Sequence, residues 1–258
     1  MNDKKIVLKL DGVSKSFAKI ENDSVTHALS TVSTTMESGE FVSLVGPSGC
    51  GKSTILRLVA GLILPTTGKI TVDGNEIKNP SPERGMVFQK PTLFPWLTVE
   101  KNIAFSLKMQ NKLSGNEQRV EEMIHIIGLE NFRDDYPGQL SGGMAQRVAL
   151  VRSLISEPDI LLMDEPLGAL DAFTRMNMQD EILKIWRKRK QLIIMVTHDI
   201  DEAIYMGTRV LVMDTNPGRI VSDIRIDEEY PRDRSSASFI NYRNDILEKL
   251  HFSGKHFD

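Results

Sequence analysis

Residues Gly46-Pro47-Ser48-Gly49-Cys50-Gly51-Lys52-Ser53 carry the clearest chemistry in this 258-residue chain. Their spacing is G-x-x-x-x-G-K-[ST], which suits a string of phosphates. Glycines leave room for successive backbone N–H groups to close around the charges, and the helix that begins near Thr54 presents its positive end to them. The Lys52 ammonium reaches β- and γ-phosphates, and the Ser53 hydroxyl is placed to ligate Mg²⁺. A ligand-free glycine turn is the plain alternative. Position disfavours it, because the loop joins the apolar run Phe41–Val45 to a helical pattern ending at Ala60.

Two acids follow downstream. Ile160–Met163 is an apolar run that ends in Asp164 and Glu165. A buried strand of this kind delivers such acids to the C-terminal edge of an open α/β sheet, where ligands bind. Asp164 can hold Mg²⁺ through its water shell, and Glu165 can polarise an attacking water. Alone the pattern is common. Together with the phosphate loop it points to hydrolysis of a nucleoside triphosphate.

A third element narrows the class. In Leu140-Ser141-Gly142-Gly143-Met144-Ala145-Gln146-Arg147 a serine and two glycines open a helix, forming a second anion site from a hydroxyl and backbone N–H groups. A simple serine cap explains Ser141 but not Gly142 and Gly143, which are poor helix residues.

The elements that must position these residues alternate. Strands are expected at Ile6–Leu10, Ala28–Met36, Phe41–Val45, Lys69–Val72, Met86–Phe88, Ile160–Met163, Leu192–Thr197 and Val210–Met213. Helices are expected at Val99–Met109, Asn116–Ile127, Ser141–Ser156 and Asp171–Arg189. This is an α/β chain with a mainly parallel, buried sheet. The tail from Pro231 is charged, then amphipathic at Phe239, Ile240, Ile246 and Leu250. The net charge of -3 gives no footprint for nucleic acid. The single cysteine excludes a disulfide framework and fits a reducing compartment. Neither a signal peptide nor an apolar stretch of roughly 20 residues is expected, so a membrane role would need a partner.

The three motifs together resemble the ATP-binding subunit of an ABC transporter, over nearly the whole chain. The resemblance implies a P-loop NTPase core of the RecA-like kind, with an N-terminal antiparallel β subdomain and a helical subdomain inserted at about 91–156. The ATPase domain would span 1–230 and a short C-terminal extension 231–258. It implies ATP and Mg²⁺, and a head-to-tail dimer in which Ser141, Gly142, Gly143 and Gln146 meet the γ-phosphate held by the P-loop of the other copy. Further positions match in order. Phe17 stands where an aromatic stacks on adenine. Gln89 matches the glutamine that approaches Mg²⁺ and water, Asp171 the loop that crosses the dimer, and His198 the histidine that contacts the γ-phosphate.

Within the family the resemblance is to importers of nitrate, sulfonate, taurine or bicarbonate. It rests on Phe94-Pro95-Trp96-Leu97-Thr98-Val99, Gly168-Ala169-Leu170-Asp171-Ala172, Asn216-Pro217-Gly218-Arg219-Ile220 and Pro231-Arg232-Asp233-Arg234. Residues Ala18 to Thr26 resemble a small polar insertion, and Gly207-Thr208 stands where such proteins often have Ala-Asp. The implied partners are a second copy, membrane-spanning permease subunits and, indirectly, an extracytoplasmic solute-binding protein, with this chain at the cytoplasmic face of the membrane. The cluster Leu93, Phe94, Trp96 and Leu97 is either subdomain core or a docking surface for the permease, and the resemblance favours docking. The basic run Arg187–Lys190 is a solvated helix end. The alternative function is a soluble ABC ATPase acting on nucleic acid or ribosomes. The coiled coils, zinc modules or tandem ATPase units such proteins carry have no counterpart in this sequence.

Overall fold

The computed structural model describes residues 5–18 and 25–252. The chain divides into two compact units, Met1–Ser81 with Leu192–Asp258, and Pro82–Gln191. The first unit begins with β1 (Val7–Ala18), β2 (Val25–Glu37), β3 (Phe41–Val45), α1 (Lys52–Ala60), β4 (Thr67–Val72) and β5 (Asn75–Glu76). The second contains β6 (Arg84–Val87), α2 (Val99–Met109), α3 (Glu117–Ile126), α4 (Gly142–Leu154), β7 (Ile160–Asp164) and α5 (Ala172–Arg189). The first then resumes with β8 (Leu192–Val196), α6 (Ile200–Met206), β9 (Arg209–Asp214), β10 (Arg219–Arg225) and α7 (Ala237–Phe252).

In the first unit, β2, β1, β4 and β5 form an antiparallel sheet in that order. A second layer runs β10, β9, β3, β8, in which β3 is parallel to both β8 and β9, and β10 returns antiparallel on β9. Every residue of β3, β8 and β9 is buried. That explains their mostly apolar sequences, interrupted only by Ser43 in β3 and by Arg209 and Asp214 at the ends of β9: a parallel strand covered on both faces cannot alternate. The outermost strand, β10, does alternate between half-buried and exposed residues. In the second unit β6 and β7 pair in parallel, and α2 packs against α3 and α4. The long α5 is anchored by Trp186, which is buried and donates its indole N–H to the Gln191 carbonyl at 3.0 Å. Arg187 to Lys190 are exposed at its end.

The helices start where their caps dictate. The side chains of Thr98, Ser141 and Asp171 accept hydrogen bonds from the backbone N–H groups of Lys101, Met144 and Thr174. The expected amphipathic tail is α7, with Phe239 and Ile246 fully buried. Three elements have no counterpart in the sequence expectations: β5, β10 and α6. With 2 and 7 residues, β5 and α6 are too short for their period to be seen. Most of the expected polar insertion, residues 19–24, lies outside the described residues; Ala18 and Val25 on either side of it are paired across β1 and β2. Among the described residues no helix is long and apolar enough to cross a membrane.

Candidate functional site

The phosphate loop leaves β3 and folds onto the N-terminus of α1. Gly51, the residue before the helix, has φ 89°, which only glycine adopts cheaply. A Cβ there would also lie 2.4 Å from Leu29 Cδ2 and 2.9 Å from the Ala28 carbonyl oxygen. Lys52 is buried, and its Nζ donates to the carbonyls of Gly46 (2.6 Å) and Pro47 (2.9 Å). The ammonium is thus already held inside the loop that should receive phosphates. Pro47, Ser48 and Gly49 are exposed, while Gly51, Ser53 and Thr54 are half-buried. Cys50 turns its thiol inward, 3.7 Å from Lys52 Nζ; burial pushes the thiol pKa up and Lys52 opposes the shift. Only the backbone of Cys50 is therefore available to a phosphate.

The floor of this loop comes from residues that the motif does not include. The turn after β9 packs directly beneath it: a Cβ on Gly218 would stand 2.2 Å from the Cys50 carbonyl oxygen. Gly218 also accepts from Ser30 N (2.8 Å) and donates to the Ala28 carbonyl (3.3 Å). Asp214 and Arg219, at the two ends of the turn, form an ion pair at 2.6 Å. The Asn216-Pro217-Gly218-Arg219 run was visible in the sequence only as a family mark; its structural role is to back the phosphate loop.

His198 leaves the same layer beside this loop. The parallel register pairs Leu44 with Val196, and Thr197 N donates to the Leu44 carbonyl at 3.2 Å. His198 is exposed, between Thr197 and the cap of α6, Asp199, whose N–H bonds the Thr197 hydroxyl at 3.1 Å. Phe17 lies near the end of β1, 40% exposed, with the Lys15 ammonium 5.1 Å from its ring centroid. An accessible ring face is what base stacking requires.

In the second unit the register does the positioning. Val87 pairs with Met163, so Phe88 and Gln89 leave β6 opposite Asp164 and Glu165 leaving β7. Gln89 Nε2 donates to Glu165 Oε2 at 3.0 Å. Asp164 is buried, and Glu165 stands one residue beyond it at φ 47°. A non-glycine residue in the left-handed region carries backbone strain and is found preferentially at functional sites. Gln146, expected at the anion site, is buried in α4 and donates its amide to the Phe88 carbonyl at 3.3 Å. It therefore braces the residue before Gln89. Ser153 does the same for Met86, at 3.2 Å.

Ser141 and Gly142 are exposed at the start of α4. The Ser141 hydroxyl accepts from Met144 N at 3.2 Å. Nothing lies within 4 Å of a Cβ on Gly142, whereas on Gly143 it would meet the Ala169 carbonyl oxygen at 3.2 Å. The start of α4 is thereby packed against the segment leading to Asp171. Hydrogen bonds from Thr174 hold the Asp171 carboxyl below its usual pKa while it caps α5.

The aromatic loop 91–98 is tied down by one buried amide, Asn102, which no motif or period singles out. Asn102 accepts from Phe94 N (2.9 Å) and donates to the carbonyls of Phe94 (3.2 Å), Leu97 (2.9 Å) and Thr98 (3.0 Å). Phe94 stacks on Phe105 at a centroid distance of 4.3 Å, with the Arg152 guanidinium 5.3 Å from its ring. Trp96, by contrast, is 69% exposed. The cluster is therefore divided: Phe94 is a packed anchor and Trp96 is surface.

No group of three or more His, Cys, Asp or Glu is arranged to hold a metal among the described residues. The donors fit Mg²⁺ nonetheless. It binds hard oxygen ligands and takes one or two from protein, with substrate phosphates and water completing the shell. Ser53 in the first unit, and Asp164 and Gln89 in the second, each carry a side-chain oxygen of that kind.

The ABC transporter family model matches residues 29–168. An ABC transporter ATP-binding protein of Methanocaldococcus jannaschii is 48% identical over 95% of this chain and 92% of its own length. An aliphatic sulfonates import ATP-binding protein of Bacillus cereus is 44% identical over 96% of this chain and 98% of its own. A taurine import ATP-binding protein of Pelagibacter ubique is 45% identical over 90% and 91%. Among solved structures, a dimeric ATP-binding cassette in a post-hydrolysis state, bound to ADP and Pi, superposes with a TM-score of 0.76 at 31% identity. It covers 86% of this chain and all of that one.

Proposed function

This chain belongs to the ABC transporter family, and on that premise we propose that it is the ATP-hydrolysing subunit of an importer for a small anion such as a sulfonate. The observation that carries the hydrolytic reading is the Gln89–Glu165 contact at 3.0 Å, with Glu165 held at φ 47°. A carboxylate at the strand edge, oriented by an amide, is a suitable base for water. Lys52 and the backbone of residues 46–54 bind the β- and γ-phosphates, and Phe17 stacks on the adenine. Ser53, Gln89 and Asp164 would hold Mg²⁺, which when bound neutralises charge on the phosphates. Glu165 takes a proton from water as its oxygen attacks the γ-phosphorus; the bond to the ADP oxygen breaks, leaving ADP and phosphate. His198 stabilises the transferring phosphate.

The second anion site, at Ser141, Gly142 and Gly143, serves a nucleotide bound to another copy. The reading thus includes a dimer with two shared sites; the similar solved cassette is also dimeric. The sequence-based alternative, a soluble ATPase of nucleic acid or ribosomes, is set aside: the relatives from Bacillus cereus and Pelagibacter ubique are import proteins. The chain works at the cytoplasmic face of the membrane, docked on permease subunits that a solute-binding protein supplies. Residues 91–156 form the helical insert of an ATPase domain spanning 1–230, and the exposed Trp96 contributes to permease docking.

Glu165→Gln tests the reading. Steady-state hydrolysis should fall by on the order of 10²–10⁴, while nucleotide binding persists. Size-exclusion chromatography with Mg-ATP should then show an accumulated dimer. Parent-level turnover would remove Glu165 from the role of base.

A further inference from the structure

The segment 226–252 has no part in the chemistry above, yet Tyr230, Arg232 and Arg243 within it all reach α6, the helix that follows His198. This helix has 7 residues. A helix that short is marginal by itself, so its position depends on what is packed and bonded to it.

The C-terminal end shows how complete the fixation is. A helix leaves its last four carbonyls without partners. In α6 these belong to Ala203, Ile204, Tyr205 and Met206. The Ala203 carbonyl accepts from Gly207 N (2.9 Å) and the Ser43 hydroxyl (3.2 Å). The other three are served from residues 230 and 232. Arg232 Nη1 donates to the Ile204 carbonyl and contacts that of Tyr205 at 3.3 Å, while the Tyr230 hydroxyl donates to Met206 at 2.5 Å. The same guanidinium reaches the carbonyls of Gly207 (2.5 Å), Glu228 (3.2 Å) and Ile226 (3.3 Å). It lies 4.3 Å from the Tyr230 ring centroid and is buried. A buried cation at a helix C-terminus is favoured by the helix dipole. Only arginine's planar fork serves so many acceptors, and lysine cannot replace it.

The N-terminal end is held from α7. Arg243 makes a bidentate pair with Asp201, Nε to Oδ1 at 2.5 Å and Nη2 to Oδ2 at 2.7 Å. Asp201 sits in the first turn of α6, three residues past His198. Phe239 and Ile246 of α7 are buried, and α7 packs on both α6 and β9.

We propose that segment 226–252 is a clamp that fixes both ends of α6 and so sets the position of His198, with Arg232 and Arg243 as positioning residues. The proposal rests on the role given to His198 above. It assigns the Pro231-Arg232-Asp233-Arg234 run a mechanical task in hydrolysis. The contacts described for the two arginines are to α6 and the residues beside it, outside the loop 46–54. Their loss should leave ATP affinity intact, because the loop 46–54 is built on other contacts, and should lower turnover alone.

The test uses the full chain with ¹³C-labelled histidine rings. It contains 5 histidines, and His198→Gln identifies the signal of His198. In the parent that signal should shift with a non-hydrolysable ATP analogue and respond much less to ADP. In Arg243→Ala the difference should shrink at least twofold. Turnover should fall about tenfold with the Kd for ADP within twofold of the parent. Arg232→Lys should behave in the same way if it folds; Arg243→Ala, at a half-buried pair, decides the matter if it does not. A parent-like His198 response together with parent-like turnover in Arg243→Ala overturns the clamp. If the parent signal itself ignores the analogue, the role of His198 fails, and the clamp fails with it.

Discussion

The loops before α1 and before α4 both end in a helix N-terminus, yet they satisfy their polar groups in opposite ways. Before α1 the chain supplies its own cation: Lys52 is buried, and its ammonium lies 2.6 and 2.9 Å from two carbonyls of the loop. Before α4 the nearby cation is turned away, since Arg147 donates to the Ile127 carbonyl. Ser141 and Gly142 face outward. The first loop combines full charge with backbone donors, and the second offers a hydroxyl and backbone dipoles only. Charge-assisted hydrogen bonds are roughly twice as strong as neutral ones. The first loop should therefore carry nucleotide affinity, and the second should report whether a nucleotide is present on its partner.

Four substitutions probe this division, in decreasing order of effect. Lys52→Ala should abolish hydrolysis and weaken ATP binding strongly, as read by calorimetric titration; near-normal turnover would break the assignment of the first loop. Ser141→Arg should leave ATP binding close to the parent while ATP-dependent dimerisation and hydrolysis are lost. If it weakened binding to isolated chains as much as Lys52→Ala does, the two loops would not differ as described. The smallest effect separates the glycines. Gly51→Ala, at φ 89° with Leu29 Cδ2 2.4 Å away, should cost on the order of 1–3 kcal/mol in stability. Gly142→Ala, with open space around it, should leave Tm unchanged or slightly raised and impair only dimerisation.

The phosphate loop and the strands feeding it were legible because their signals are local. Phe41–Val45 and Val99–Met109 have the bounds their patterns predict. The acids at 164–165 were equally plain. What was not legible depends on residues far apart in the chain. Gly218 under Cys50, Asn102 under the aromatic loop and Arg232 on α6 are tertiary contacts whose residue types have no periodic signature. The left-handed backbone at Glu165 is a further case, since nothing in Asp164-Glu165-Pro166 announces it. Gln146 adds a contact of the same kind: the resemblance implies a place at the anion site, and the fold gives its amide to the Phe88 carbonyl.

The four bonds made by Asn102 have a consequence for how such a chain changes over generations. Three of its partners are carbonyls and the fourth is an N–H, so these four bonds hold the loop 94–98 by its backbone, with Phe94 as its packed side chain. The exposed side chains upon it, Trp96 above all, are free of that duty. On the proposed docking role of this loop, pairing with a different membrane protein would need only an exchange of side chains on a fixed platform, and a duplicated copy could diverge in partner without refolding its ATPase.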